Sequence, residues 1–120
     1  MSGAAIRLDV GVLTRAIEGQ DARTLAGLYA DNATLQIMDR DNPPKSPRTI
    51  SGREAIAAYY DDVCGRAMTH KVEAGLLDDS HLAFTESCAY PDGTRVFCSA
   101  MAELSGGRIT KQTNVQVWDE

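Results

Sequence analysis

The sequence predicts an α+β domain, with three helices packed on one face of a curved, mainly antiparallel sheet. Three observations predict it. Apolar residues recur at helical spacing in two segments before residue 30 and in one after residue 51. From His70 onward they alternate at strand spacing. Two turn signals, Pro91-Asp92-Gly93-Thr94 and Ser105-Gly106-Gly107, divide that second half.

The first helix is expected from Asp9 to Gly19, with Val10, Leu13 and Ile17 on one stripe beside Ala16. Asp9 suits the N-cap and Gly19 the C′ position. Asp21 caps a second helix whose apolar face is Leu25, Leu28 and Tyr29. The short Glu18-Gly19-Gln20-Asp21 link makes the two antiparallel neighbours. The second helix is expected to run to Ala30 and a short strand to start at Thr34, ending at Asp39. The stretch that follows holds three prolines and several charges and reads as a loop, either a functional rim or a solvated connection. Ser51, with Glu54 three residues on, has capping-box spacing for a third helix with Ile56, Tyr59, Tyr60 and Val63 on its buried stripe. Four strands complete the chain: His70–Leu77, Leu82–Tyr90, Thr94–Leu104 and Arg108–Trp118.

With 120 residues, no repeats and no linker, residues 1–120 read as one domain. The formal charge of −5 argues against nucleic acid or an anionic membrane surface as a partner. No apolar run approaches the roughly 20 residues needed to span a bilayer. The N-terminal stretch lacks the basic start and apolar block of a secretory signal. Cys64, Cys88 and Cys98 form no CxxC pair, which points to buried thiols in a reducing cytoplasm. No His/Cys/carboxylate set has metal-ligand spacing, and no cofactor is implied.

The element order, Asp21, Leu28-Tyr29-Ala30-Asp31-Asn32-Ala33-Thr34, Gly52-Arg53-Glu54-Ala55-Ile56 and Gly107-Arg108-Ile109 together resemble the nuclear transport factor 2-like superfamily. That superfamily includes SnoaL-like polyketide cyclases and ketosteroid isomerases. The resemblance covers nearly the whole chain and implies a cone, closed on one side by helices, with a pocket inside.

Taking Asp92-Gly93 as a two-residue turn pairs Pro91 with Thr94, so Cys88 opposes Phe97, Glu86 opposes Ser99 and Phe84 opposes Met101. Cys98 then points away from Cys88. Matching to the isomerase pattern puts Phe84, Glu86, Cys88, Phe97, Ser99, Met101 and Glu103 on the pocket wall. Gln112, Asn114 and Gln116 join them as an amide ladder, with Tyr29 and Tyr59 coming from helices. The alternative is an exposed amide face with Val115 and Val117 buried.

The resemblance also tests the chemistry. Ketosteroid isomerases use a carboxylate base, a tyrosine and a protonated aspartic acid. The matching positions here are Ile37, Leu13 and Met101, so all three groups are missing. The cyclase pattern expects an acid where Ala100 or Met101 stands, and a histidine and a tryptophan where Gln112 and Thr113 stand. No strand carries the Arg-x-Asp of a water-activating epoxide hydrolase.

Glu86 is the candidate catalytic residue. Facing inward among Phe84, Cys88, Phe97 and Met101 it would lose hydration and suit general acid or base work. Otherwise it pairs with an arginine or a tyrosine hydroxyl, or faces solvent. His70 and His81 read as surface histidines and Cys88 as a small apolar filler. The expected function is a small-molecule pocket protein, as an isomerase, cyclase or dehydratase acting on a hydrophobic ring or carbonyl compound. A non-catalytic ligand-binding domain is the alternative, and a protein-interaction module a third class. Val96, Cys98, Ala100, Ala102, Leu104, Val115 and Val117 are expected to form an apolar back face, through which the chain pairs as a homodimer.

Overall fold

Two aspartates start the first helices where the sequence pattern marks them. In the computed structural model, which describes residues 7–119, Asp9 Oδ1 accepts from Val12 N at 2.7 Å and opens α1 (Val10–Glu18). Asp21 Oδ1 accepts from Thr24 N at 3.1 Å and opens α2 (Ala22–Gly27). Each side chain satisfies an amide that the first helical turn leaves without a partner. Residues 1–6, part of the stretch read for a secretory signal, lie outside the described residues. No helix is long and apolar enough to cross a membrane among the described residues.

The chain continues as β1 (Tyr29–Met38), β2 (Arg48–Ser51), α3 (Arg53–Cys64), β3 (Thr69–Leu77), β4 (His81–Ala89), β5 (Arg95–Ser105) and β6 (Arg108–Trp118). The six strands form one sheet in the order β2-β1-β6-β5-β4-β3. β1 runs parallel to β6 and every other pair is antiparallel, so the sheet is mixed. The helices cover one face, and the core lies between them, built from Leu13, Ile17, Leu25, Leu35, Ile56 and Leu82 with their neighbours.

Three boundaries differ from the sequence reading. Tyr29 is a strand residue. α2 stops at Gly27 and β1 begins at once, with a register shift between Tyr29 and Thr34 that leaves Asp31 and Asn32 exposed. The bulge, not a helix end, is what that Asp-Asn pair makes. β2 is a strand hidden in the proline-rich loop. It has four residues and one buried side chain, Ile50, too few to show alternation. Ser51 belongs to β2 and caps nothing. The N-cap of α3 is Gly52, at φ 89°, and its amide donates to the Ala33 carbonyl at 2.8 Å.

The β4–β5 turn differs by one residue. Tyr90 N donates to Thr94 O at 2.9 Å and Gly93 N to Tyr90 O at 3.0 Å, so the loop holds Pro91, Asp92 and Gly93. Gly93 takes φ 92°. A three-residue loop closed by a left-handed glycine moves every pair by one. Glu86 opposes Cys98, Phe84 opposes Ala100 and Cys88 opposes Val96. β5 is therefore turned over: Val96, Cys98, Ala100 and Ala102 are buried inside, while Phe97, Ser99, Met101 and Glu103 face out. Cys98 thus shares the interior with Cys88, and all three cysteines are free thiols.

Gly93 meets no atom within 4 Å, so a side chain there costs only backbone strain. Gly93→Ala is expected to destabilise the fold by about 1 kcal/mol. Urea denaturation should show a lower midpoint with an unchanged slope.

Candidate functional site

The cavity exists because the inward row of β5 is small. Val96 and Cys98, the β5 residues that line it, stand where the opposite register would put Phe97 and Ser99. Above them α3 supplies Tyr59 and Tyr60, while β4 supplies Phe84, Glu86 and Cys88, and β6 Asn114 and Gln116. Together they enclose about 210 Å³. That exceeds the roughly 150 Å³ of an apolar cavity that takes up benzene. At the mouth, the Tyr90 ring stacks on Trp118 with centroids 5.8 Å apart. Arg66 donates to the Tyr90 hydroxyl at 3.1 Å, and the Arg48 guanidinium lies 5.2 Å from the Tyr59 ring centre.

A hydrogen-bonded chain runs beneath the cavity. The Tyr60 hydroxyl lies 2.6 Å from that of Tyr29, which donates to Gln112 Oε1 at 2.8 Å. Gln112 Nε2 donates in turn to Asn114 Oδ1 at 2.8 Å. With Tyr29 donating to Gln112, Tyr60 donates to Tyr29, and the donors all point one way. The Asn114 amide nitrogen is the donor end of the chain, at the cavity wall. Burial raises the tyrosine hydroxyls: Tyr59 is pushed from 10.0 to about 12, and Tyr29 and Tyr60 are raised as well. All three are neutral donors at physiological pH.

The second polar feature is a triangle on β3 and β4. His70 Nδ1 lies 3.2 Å from Glu86 Oε1 and 3.2 Å from Cys88 Sγ, and Cys88 Sγ donates to Glu86 Oε1 at 3.1 Å. The side chains of His70 and Glu86 are only 6% and 13% exposed. Burial, and then the Glu86 carboxylate, raise the Cys88 thiol well above its ordinary value. The same causes push Cys98 up to about 12. Both thiols stay protonated at neutral pH, so neither is a ready nucleophile.

A β-bulge puts His70 there. Leu77 pairs with Leu82 and Gly75 with Phe84, but the register shifts between Val72 and Ala74. Without that extra residue Lys71 would face inward in place of His70. The bulged Val72 amide is satisfied by Glu18 Oε2 at 3.0 Å, across from α1.

Glu86, Tyr59, Phe84, Cys88, Asn114 and Gln116 line the cavity as the sequence predicts. Tyr29 and Gln112 lie beneath it, fully buried. Phe97, Ser99 and Met101 do not belong to it: with Glu103 they face the other side of the sheet, for the register reason given above. The position matched to the isomerase acid is corrected in the same way, since Met101 is outside and its inward neighbour is Ala100. His70 is corrected from surface to interior, and the metal-type donor set absent from the linear spacing is assembled across two strands. Arg48, Arg66, Tyr90 and Trp118 at the mouth went unread, because loop residues and strand ends carry no periodic signal.

No family model matches the chain, and no curated protein matches its sequence. Solved structures match its fold. An NTF2-like protein of unknown function from Mesorhizobium loti superposes with a TM-score of 0.73 at 15% identity, over 87% of this chain and 84% of that one. Another from Burkholderia xenovorans gives 0.73 at 18% identity, over 92% and 80%. A hypothetical protein with a ketosteroid isomerase-like fold from Catenulispora acidiphila, in complex with trimethylamine, gives 0.64 at 16% identity, over 88% and 82%. What is shared is the NTF2-like, ketosteroid isomerase-like fold.

Two outcomes follow from the buried polar groups. Tyr29→Phe leaves Gln112 Oε1 and the Tyr60 hydroxyl without their shared partner and should destabilise by about 1–3 kcal/mol in urea denaturation. Raised pKa values mean that the folded chain keeps protons the unfolded chain has released. The stability these groups contribute should be fully present below about pH 9 and fall as pH rises toward 12, by at most about 1.4 kcal/mol per pH unit for each such group. Urea midpoints measured across that window check it.

Proposed function

We propose that this chain binds a hydrophobic ring or carbonyl compound in its cone and transfers a proton on it, as an isomerase, cyclase or dehydratase does. The observation that carries the reading is a carboxylate, Glu86, set in the wall of an enclosed cavity and held by a buried imidazole 3.2 Å away. A single buried acid with fixed orientation suits general acid or base work. In the same cavity, the donor end of the Asn114 amide and the Tyr59 hydroxyl can hold a substrate oxygen as charge develops on it. Gln116 lines the same cavity.

The second reading is a ligand-binding domain without catalysis. It is favoured by Ile37 and Leu13, both buried, where the isomerase pattern has its base and tyrosine. One experiment separates the two. A compound that raises Tm identifies the ligand, and mass spectrometry of the mixture then shows product or none. Glu86→Gln should reduce turnover by about 100-fold or more, within the usual range for a general acid–base group. Turnover unchanged in Glu86→Gln sinks the catalytic assignment.

The assembly reading also stands as a proposal, with its residues revised. Phe97, Met101, Val115 and Val117, together with Leu76, are exposed on the back of the sheet. Val96, Cys98, Ala100 and Ala102, which are buried, and Leu104, which packs against the core, do not belong to that face. An apolar surface of this kind marks an interface more often than it is left bare, and a two-fold pairing of identical faces would cover it. Sedimentation at micromolar concentration should give a dimer, and Val115→Glu should give a monomer near 13.0 kDa.

A further inference from the structure

We propose that His70, Glu86 and Cys88 form a three-ligand site for a divalent transition-metal ion of the zinc class. The three donor atoms close a triangle with edges of 3.1 to 3.2 Å. Bonds of about 2.0 Å to nitrogen and oxygen and about 2.3 Å to sulfur exceed the distance from the centre of such a triangle to its corners. An ion therefore rests just off the plane, bonded to all three, with little movement of the side chains. All three residues line the cavity, so a fourth position stays open to water or a small ligand. Three protein ligands and an open fourth position make up a catalytic rather than a structural zinc site.

Hydrogen bonding alone explains the triangle less well. Three contacts share two hydrogens, the thiol's and one on the imidazole. His70 Nε2 is the buried side-chain polar atom left without a partner among the described residues. The imidazole, 6% exposed, is thus held only through its Nδ1 edge, aimed at the carboxylate and the thiol. A cation takes up all three lone pairs at once. The charge also closes: a carboxylate and a thiolate balance a divalent ion, with the imidazole neutral. Binding forms the metal–sulfur, metal–nitrogen and metal–oxygen bonds, places the imidazole proton on Nε2 and releases the Cys88 thiol proton to solvent. Mixed nitrogen, sulfur and carboxylate donors select zinc or cobalt over magnesium or calcium.

The site shares Glu86 with the proton-transfer reading but does not depend on it, because the test reads binding rather than turnover. Cobalt(II) added to untagged, reduced, metal-free protein should give a thiolate-to-cobalt charge-transfer band and the intense visible absorption of a four-coordinate ion. Both should saturate at one ion per chain, and zinc should displace them. Cys88→Ser should abolish the charge-transfer band. His70→Gln, its fold checked by circular dichroism, should weaken binding at least about tenfold. The proposal is overturned if equimolar cobalt gives no such band, or if the band survives in Cys88→Ser, which would move the ion to Cys64 or Cys98. Cobalt binding without turnover supports the site while sinking the proton-transfer reading; turnover with no cobalt binding does the reverse.

Discussion

Strand phase is the constraint on which the site depends. In a sheet with one covered face, each single-residue irregularity exchanges inside for outside along the rest of the strand. This chain has two that matter. The three-residue loop of Pro91, Asp92 and Gly93 puts the small side chains of β5 inward. The bulge between Val72 and Ala74 turns His70 inward in place of Lys71. The first leaves room for a cavity, and the second gives that cavity a histidine. Neither is a packing preference of the residues it moves; both follow from how the backbone closes its hydrogen bonds nearby.

The helical layer holds that phase in place. Gly75 opposes Phe84 on the sheet, and a Cβ there would come within 2.9 Å of Val10 Cγ1, so α1 lies directly on the strand. Glu18, at the end of the same helix, satisfies the Val72 amide that the bulge frees. The helix and the bulge therefore support each other, and the position of His70 follows from both.

Polar groups in this interior fall into two kinds. The chain from Tyr60 through Tyr29 and Gln112 to Asn114 is satisfied along its length and ties α3, β1 and β6 together. Such a network fixes a unique arrangement because every other arrangement strands a buried donor. The triangle of His70, Glu86 and Cys88 is different. It is compact and lies in the cavity wall, with the far nitrogen of the imidazole unpartnered. Its histidine is held by one edge, whereas the amides of the chain are ordered by partners on both sides.

The sequence alone determined the layers. Asp9 and Asp21 mark two helix starts because a side-chain oxygen must meet free amides there. Alternation locates four strands within a residue or two, and the inward row of Gln112, Asn114 and Gln116 follows from β6 without interruption. Glu86 was legible as an interior acid because it shares its face with Phe84 and Cys88 on an unbroken strand. The tertiary structure decided everything beyond an irregularity. Phe97, Ser99 and Met101 were misplaced because Asp92-Gly93 fits a two-residue and a three-residue turn equally well in local terms. His70 was missed because the extra residue near Glu73 leaves no trace in composition. Tyr29 was read as helical because its strand is set by pairing with Ile109, some eighty residues away. Local sequence fixes torsions and periods. Which face a strand presents after a bulge is settled by the partners it meets, and those are known only when the chain has closed.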